Sequence, residues 1–133
     1  MYFKQKSLLL VLISIIFFSC KKQPGEGGFA SIEGKVYVKN YDAYFSILSS
    51  QYYLPGETVY IIYGDGTEIG NTVKTSYDGS FKFNYLRKGK YKVYVLGKDS
   101  SSANRSNPKE ELREIAVTER KQKEVLGDLV ILK

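Results

Sequence analysis

Beyond residue 29, apolar and polar positions alternate with a period of two along most of the chain, the pattern of half-buried strands. Over residues 30–39, Ile32, Val36 and Val38 fall on one face, and Ser31, Glu33, Lys35, Tyr37 and Lys39 on the other. Thr58 to Tyr63 is a continuous β-branched and aromatic run, which predicts a central strand covered on both faces. Val73, Thr75 and Tyr77 share a face, then Asp78-Gly79 separates them from Phe81, Phe83 and Tyr85. A two-residue Asp-Gly loop between alternating strands predicts a β-hairpin, because both turn positions favour positive φ. Arg87 to Lys90 reads as the next turn, and Tyr91, Val93 and Val95 alternate against Lys92, Tyr94 and Leu96, so these three strands should form a meander.

Residues 99–108 have the Ser, Asn and Pro content of an exposed loop. From Asn107 to about Thr118 two readings stand: Asn107-Pro108 caps a short helix, or Ile115 and Val117 belong to a strand. In the last segment Val125, Leu129 and Ile131 alternate against Leu126, Val130 and Leu132, which predicts a closing strand. About seven strands in roughly a hundred residues indicate an all-β fold, a single Greek-key β-sandwich spanning residues 29–133.

The first 28 residues do not belong to that pattern. Lys4 and Lys6 precede an uncharged apolar run from Ser7 to Ser19, which is shorter than the roughly 20 residues that span a bilayer and matches a signal peptide over residues 1–19. Phe17-Phe18-Ser19-Cys20 resembles a bacterial lipobox, with Phe17 in place of the usual leucine. A small residue before the cut admits the peptidase, and only a thiol supplies the sulfur of a thioether. The resemblance implies lipid attachment at Cys20, palmitate among the acyl chains, and stable membrane anchoring through two or three of them. Residues 20–28, rich in Gly and charge, are expected to form a flexible tether. The expected location is the cell envelope, at the outer membrane. Lys21 and Lys22 follow the cysteine where acidic residues often mark surface export, so the periplasmic and surface faces both remain open.

Composition narrows the chemistry. The chain has 133 residues, no histidine and one cysteine, Cys20. A Ser-His-Asp or Cys-His nucleophilic site is therefore excluded, as are an intramolecular disulfide and a His- or Cys-rich metal site. Lys4 and Lys6 carry two of the six net positive charges, leaving +4 beyond the leader, interleaved with acids as in Lys109 to Glu114. That distribution argues against nucleic acid and suits weak attraction to anionic headgroups or acidic polysaccharide. The acidic turn Tyr63 to Glu68 lacks the ligand spacing of a calcium loop and reads as a solvated turn, so no cofactor or metal is expected.

Ile32 to Val36, Leu54 to Val59, Thr75 to Phe81 and Leu86 to Tyr91 together resemble the carboxypeptidase regulatory-like domain, a transthyretin-like or prealbumin-like sandwich. The resemblance covers most of residues 31–96 and rests on turn and core positions. It implies an accessory module without catalysis of its own, and the chain as a whole resembles small Bacteroidetes-type lipoproteins. Sandwich domains with Lys-to-Asn/Asp isopeptide bonds are neighbours in fold, and Lys35 and Asp128 lie in the first and last strands. Alternation points Lys35 to solvent, whereas that bond needs a buried lysine.

The match departs at residues 40–53, where Tyr41, Tyr44, Phe45, Tyr52 and Tyr53 crowd a segment with Asn40, Ser49, Ser50 and Gln51. Tyrosine among Ser and Asn is the composition of adaptable binding loops. Either these rings contact a glycan or an envelope protein, or they cap one open end of the sandwich, or Tyr44 to Leu48 is another edge strand. The expected function is a lipid-anchored, non-enzymatic binding or structural accessory. Its alternatives are a carbohydrate-binding subunit of a glycan uptake system, or an adhesive module working through sheet edges.

Overall fold

The computed structural model describes residues 22–101 and 107–133. The leader and Cys20 lie outside the described residues, as do residues 102–106 of the expected loop at 99–108. Eight strands are present among the described residues, and they form two packed sheets. In the first sheet the long β1 (Glu26–Tyr41) is central. Along one side it pairs antiparallel with β2 (Leu48–Tyr53) and then β5 (Ser80–Leu86). Along the other it pairs parallel with β8 (Lys123–Leu132). The second sheet runs β4 (Ile69–Lys74), β3 (Thr58–Tyr63), β6 (Gly89–Lys98), β7 (Pro108–Val117), all antiparallel. Chain order thus alternates between sheets, with β6 returning beside β3 and β8 beside β1. The fold is the expected all-β sandwich, with one strand more than anticipated.

Inward residues follow from the pleat, whose side chains point alternately to opposite faces. Ile32, Val36 and Val38 of β1 meet Val59 and Ile61 of β3 and Tyr91, Val93 and Val95 of β6, closed by Phe81, Phe83, Leu129 and Ile131, all buried. Thr75 is the buried polar exception. Its hydroxyl donates to Leu54 O (2.6 Å) and accepts from Glu57 N–H (2.9 Å), so the β2–β3 link is tied to the end of β4.

Several sequence expectations are corrected. Asp78-Gly79 does make a tight turn, with Gly79 N–H on Ser76 O and Ser76 N–H on Ser80 O, but only Gly79 has positive φ. The flanking strands diverge at once, β4 into one sheet and β5 into the other, so the hairpin and the three-strand meander do not exist. Tyr77 projects into solvent instead of sharing the buried face of Thr75. The alternation of β5 breaks at Tyr85, whose φ of 59° turns its ring outward and places Leu86 in the core. In β8 a register shift opposite Glu33 to Lys35, with Gly127 at φ 73°, exposes Val125 and turns Leu126 toward the core. Such bulges re-aim every residue beyond them.

The ambiguous segment after Asn107 is strand throughout, because all of β7 pairs with β6, from Gly89↔Val117 to Lys98↔Pro108. Thr58 to Tyr63 is central in its sheet as expected, yet its outer face is only half-covered. The expected tether is also shortened. Strand β1 begins at Glu26 rather than near Phe29, and Gly25 is already buried, its amide donating to the Tyr91 hydroxyl (2.9 Å).

Candidate functional site

The five aromatic residues singled out in residues 40–53 are distributed over the end of β1 (Tyr41), a closed loop (Tyr44 and Phe45) and an edge strand (Tyr52 and Tyr53). The loop is ordered by Asp42, whose carboxylate accepts from Ser46 N–H (2.6 Å) and Ile47 N–H (3.0 Å), while its carbonyl accepts from Phe45 N–H (3.0 Å). Phe45 adopts φ 55°, and its half-buried ring lies 5.9 Å from that of Tyr41. These two rings pack on each other, whereas Tyr44 at the loop tip is 73% exposed.

Leu48 to Tyr53 then pairs with the end of β1 and, among the described residues, with no other strand, and all six of its residues are exposed. The edge strand expected at Tyr44 to Leu48 is instead loop as far as Ile47, and the strand lies one step on, at Leu48 to Tyr53, where it keeps the rings of Tyr52 and Tyr53 in solvent. Adjacent strand residues face opposite ways, so Tyr52 (46% exposed) lies over the Val38 side and Tyr53 (39% exposed) on the outer face. Tyr53 sits edge-on to Tyr37 with centroids 5.1 Å apart. The Lys35 ammonium stands 4.7 Å from the Tyr53 ring centroid, a cation–π contact, and the Tyr53 hydroxyl donates to Asp128 at 3.0 Å. Lys35 and Asp128 are thus register partners, as their strands implied, and each is engaged with Tyr53. Gln51 and Lys39 continue the outer face, while Asn40 donates to Ser50 Oγ (3.0 Å).

Sequence reasoning missed Tyr37, Lys35 and Asp128 as parts of this cluster. The alternation of residues 31–39 does place Lys35 and Tyr37 on the outward face. The signal lacking is the β1–β2 register, which brings Tyr53 to them.

Beyond this surface, a cleft of about 570 Å³ opens between β1, β4 and β5, lined by Lys35, Lys74, Lys82 and Phe81 among others. Its one carboxylate, Glu33, bridges Lys82 (3.6 Å) and Lys123 (3.0 Å). The Tyr63 to Glu68 turn is exposed at Asp65 and Glu68, and Asp65 pairs loosely with Lys90 at 3.9 Å. Among the described residues no group of three or more acids, histidines or cysteines is placed to hold a metal ion.

Titration follows these contacts. The hydrogen bond to Asp128 raises the Tyr53 phenol above its usual 10.0, and burial raises Tyr63, Tyr91 and Tyr94 likewise. The folded state therefore keeps phenolic protons that the unfolded chain loses, and stability falls as pH rises past 10.0. At the acid end, the hydrogen bond from Lys123 lowers Glu33 below 4.5, and that from Ser80 lowers Asp78 below 3.8. Their contribution is present above those values and is lost as pH falls through the lowered ones. A thermal midpoint followed by circular dichroism should show a plateau between these limits. A midpoint still rising above pH 10.0 would contradict the tyrosine assignments.

The fold and surface define a small β-sandwich module with an unpaired, aromatic-bearing edge strand. No protein-family model matches the chain, and no curated protein matches it. Among solved structures, a crystal structure from Pseudomonas aeruginosa, named as that of a "putative carbohydrate binding protein", superimposes with a TM-score of 0.46 at 14% sequence identity. That alignment covers 83% of this chain and 93% of the other.

Proposed function

We propose that this protein is a lipid-anchored, non-enzymatic accessory module of the cell envelope that binds a protein partner along β2. The observation that carries the proposal is the free edge of β2, where exposed Ile47, Leu48, Tyr52 and Tyr53 flank unpaired backbone. An open strand edge is a template for an added strand, with backbone hydrogen bonds supplying affinity and alternate side chains specificity. The reading of Cys20 as lipidated supports placement at a membrane, and the resemblance to carboxypeptidase regulatory-like domains supports an accessory role. The lack of histidine supports binding over catalysis, and nucleic acid is not a partner in this proposal.

A glycan is the rival occupant, favoured by Tyr53 and Gln51 sharing one outer face. Against it, Tyr52 and Tyr53 point to opposite sides of the strand, so the rings do not form one platform. Crosslinking in native cells with mass spectrometry of partners tests the proposal. Tyr52→Ala with Tyr53→Ala should reduce capture of the principal envelope protein on the order of tenfold. An unchanged partner set would sink it, and retention of arrayed oligosaccharides lost on the same substitutions would transfer the site to glycan. Separately, Cys20→Ala should move the protein from the membrane fraction to the soluble one.

A further inference from the structure

The end of the sandwich where β1 begins carries a second cleft, about 460 Å³, whose charged lining is entirely cationic: Lys22, Arg87, Lys88 and Arg120. Among the described residues none of the four forms an ion pair, in contrast to Lys82 of the larger cleft. Of the acids nearby in sequence, Glu26 accepts from Asn71 on β4 (2.8 Å) and Glu119 makes no ion pair. The Arg87 guanidinium lies against Gly27, where a Cβ would come within 2.7 Å of it, and its Nε is buried without a hydrogen-bond acceptor. Beside these cations Phe29 projects 59% exposed, with the Arg120 guanidinium 4.4 Å from its ring centroid.

Chain connectivity says what this surface faces. Gly25 is fastened to the body: Arg87 N–H donates to Gly25 O (2.8 Å), and the Tyr91 hydroxyl accepts from Gly25 N–H (2.9 Å). Five residues span at most about 18 Å, so Cys20 cannot lie farther than that from Gly25 whatever path the chain takes. A lipid on Cys20 would therefore hold this end of the domain against the bilayer.

We infer that the Lys22, Arg87, Lys88 and Arg120 surface docks on anionic phospholipid headgroups, with Phe29 entering the interface, so that the anchored domain is held in one orientation with β2 presented away from its tether. The inference rests on the anchoring reading of Cys20. The charge is complementary, the exposed Lys22, Lys88 and Arg120 side chains supply donors for phosphate oxygen, and an aromatic ring beside cations is the make-up of interfacial contacts.

The chain has no tryptophan, so Phe29→Trp installs a single reporter at an exposed position. The lipidated protein carrying it is reconstituted into vesicles of phosphatidylcholine alone and of phosphatidylcholine with phosphatidylglycerol. Flotation with both vesicles tests the anchor by itself, and failure to float with the neutral ones would overturn that reading without touching the cationic surface. A blue-shifted, quencher-protected emission in the anionic vesicles only, abolished by high salt, is the expected result. Lys88→Glu with Arg120→Glu should remove the shift, since each cation lost weakens attraction about fivefold and reversal does more. Identical emission in both vesicle types would overturn the docking. An equal shift on adding inorganic phosphate without anionic lipid would also overturn it, in favour of a soluble-anion site.

Discussion

Tyr91→Ala is expected to cost about 3–5 kcal/mol of stability for the buried ring alone, enough to unfold much of a small domain at ambient temperature. Tyr91 is among the largest fully buried side chains, and its ring meets Tyr63 edge-on at 5.8 Å. Its hydroxyl donates to Arg87 O (2.6 Å) and accepts from Gly25 N–H (2.9 Å), joining the entry of the chain to the β5–β6 turn. Tyr91→Phe separates the two roles. It keeps the ring and leaves a buried amide and carbonyl unsatisfied, a loss of about 1–3 kcal/mol. Denaturant unfolding of both variants checks the values, with the slope m unchanged if the transition remains two-state. A Tyr91→Phe protein as stable as the parent would show that the Tyr91 hydroxyl does not help to fasten Gly25, leaving that role to the bond from Arg87 N–H to Gly25 O.

Gly28→Ala is expected to be as damaging, by a different route. A Cβ on Gly28 would lie 2.0 Å from Leu86 O and 2.4 Å from Leu86 C, both backbone atoms that cannot rotate aside. This is the site where β1 bulges past β5, with Glu26 and Ala30 both registered on Leu86. Accommodating the methyl requires the strands to part, at a cost of about 3 kcal/mol or more. Because Gly28 also lines the cationic cleft, the strain should be visible as faster amide exchange at Leu86 and Arg87. A thermal midpoint within a degree or two of the parent would refute the close approach.

Neighbouring sites show how much of this was readable in advance. Residues 30–39 alternate without interruption, and their inward and outward faces are those observed. In β5 the same rule holds for Phe81 and Phe83 and fails at Tyr85, where one positive φ shifts the phase so that Leu86 is buried. In β8 it holds for Leu129 and Ile131 and fails at Val125, upstream of Gly127. Asp78-Gly79 was legible as a turn but not as a crossing between sheets, because turn chemistry is local and carries no information on which sheet the next strand joins. The tether read from composition proved shorter, since its glycines serve the bulge of β1 against β5 and the close seat of Arg87 on Gly27. At the candidate site, the crowding of aromatic residues in 40–53 was visible, whereas the partition of Tyr52 and Tyr53 to opposite faces depended on strand pairing.

By itself, then, the sequence determined the all-β class, the inward set of most strands and the exclusion of sites that need a histidine or a second cysteine. These follow from side-chain period and residue type, which are properties of short stretches. Tertiary structure alone decided that β1 and β8 pair in parallel, that β2 is an open edge, that Tyr53 meets Lys35, Tyr37 and Asp128, and that four cations without an ion pair among the described residues gather beside Gly27 and Gly28. Each of these depends on register between segments distant in the chain, and register is set by the packing of the whole core rather than by any one strand's pattern.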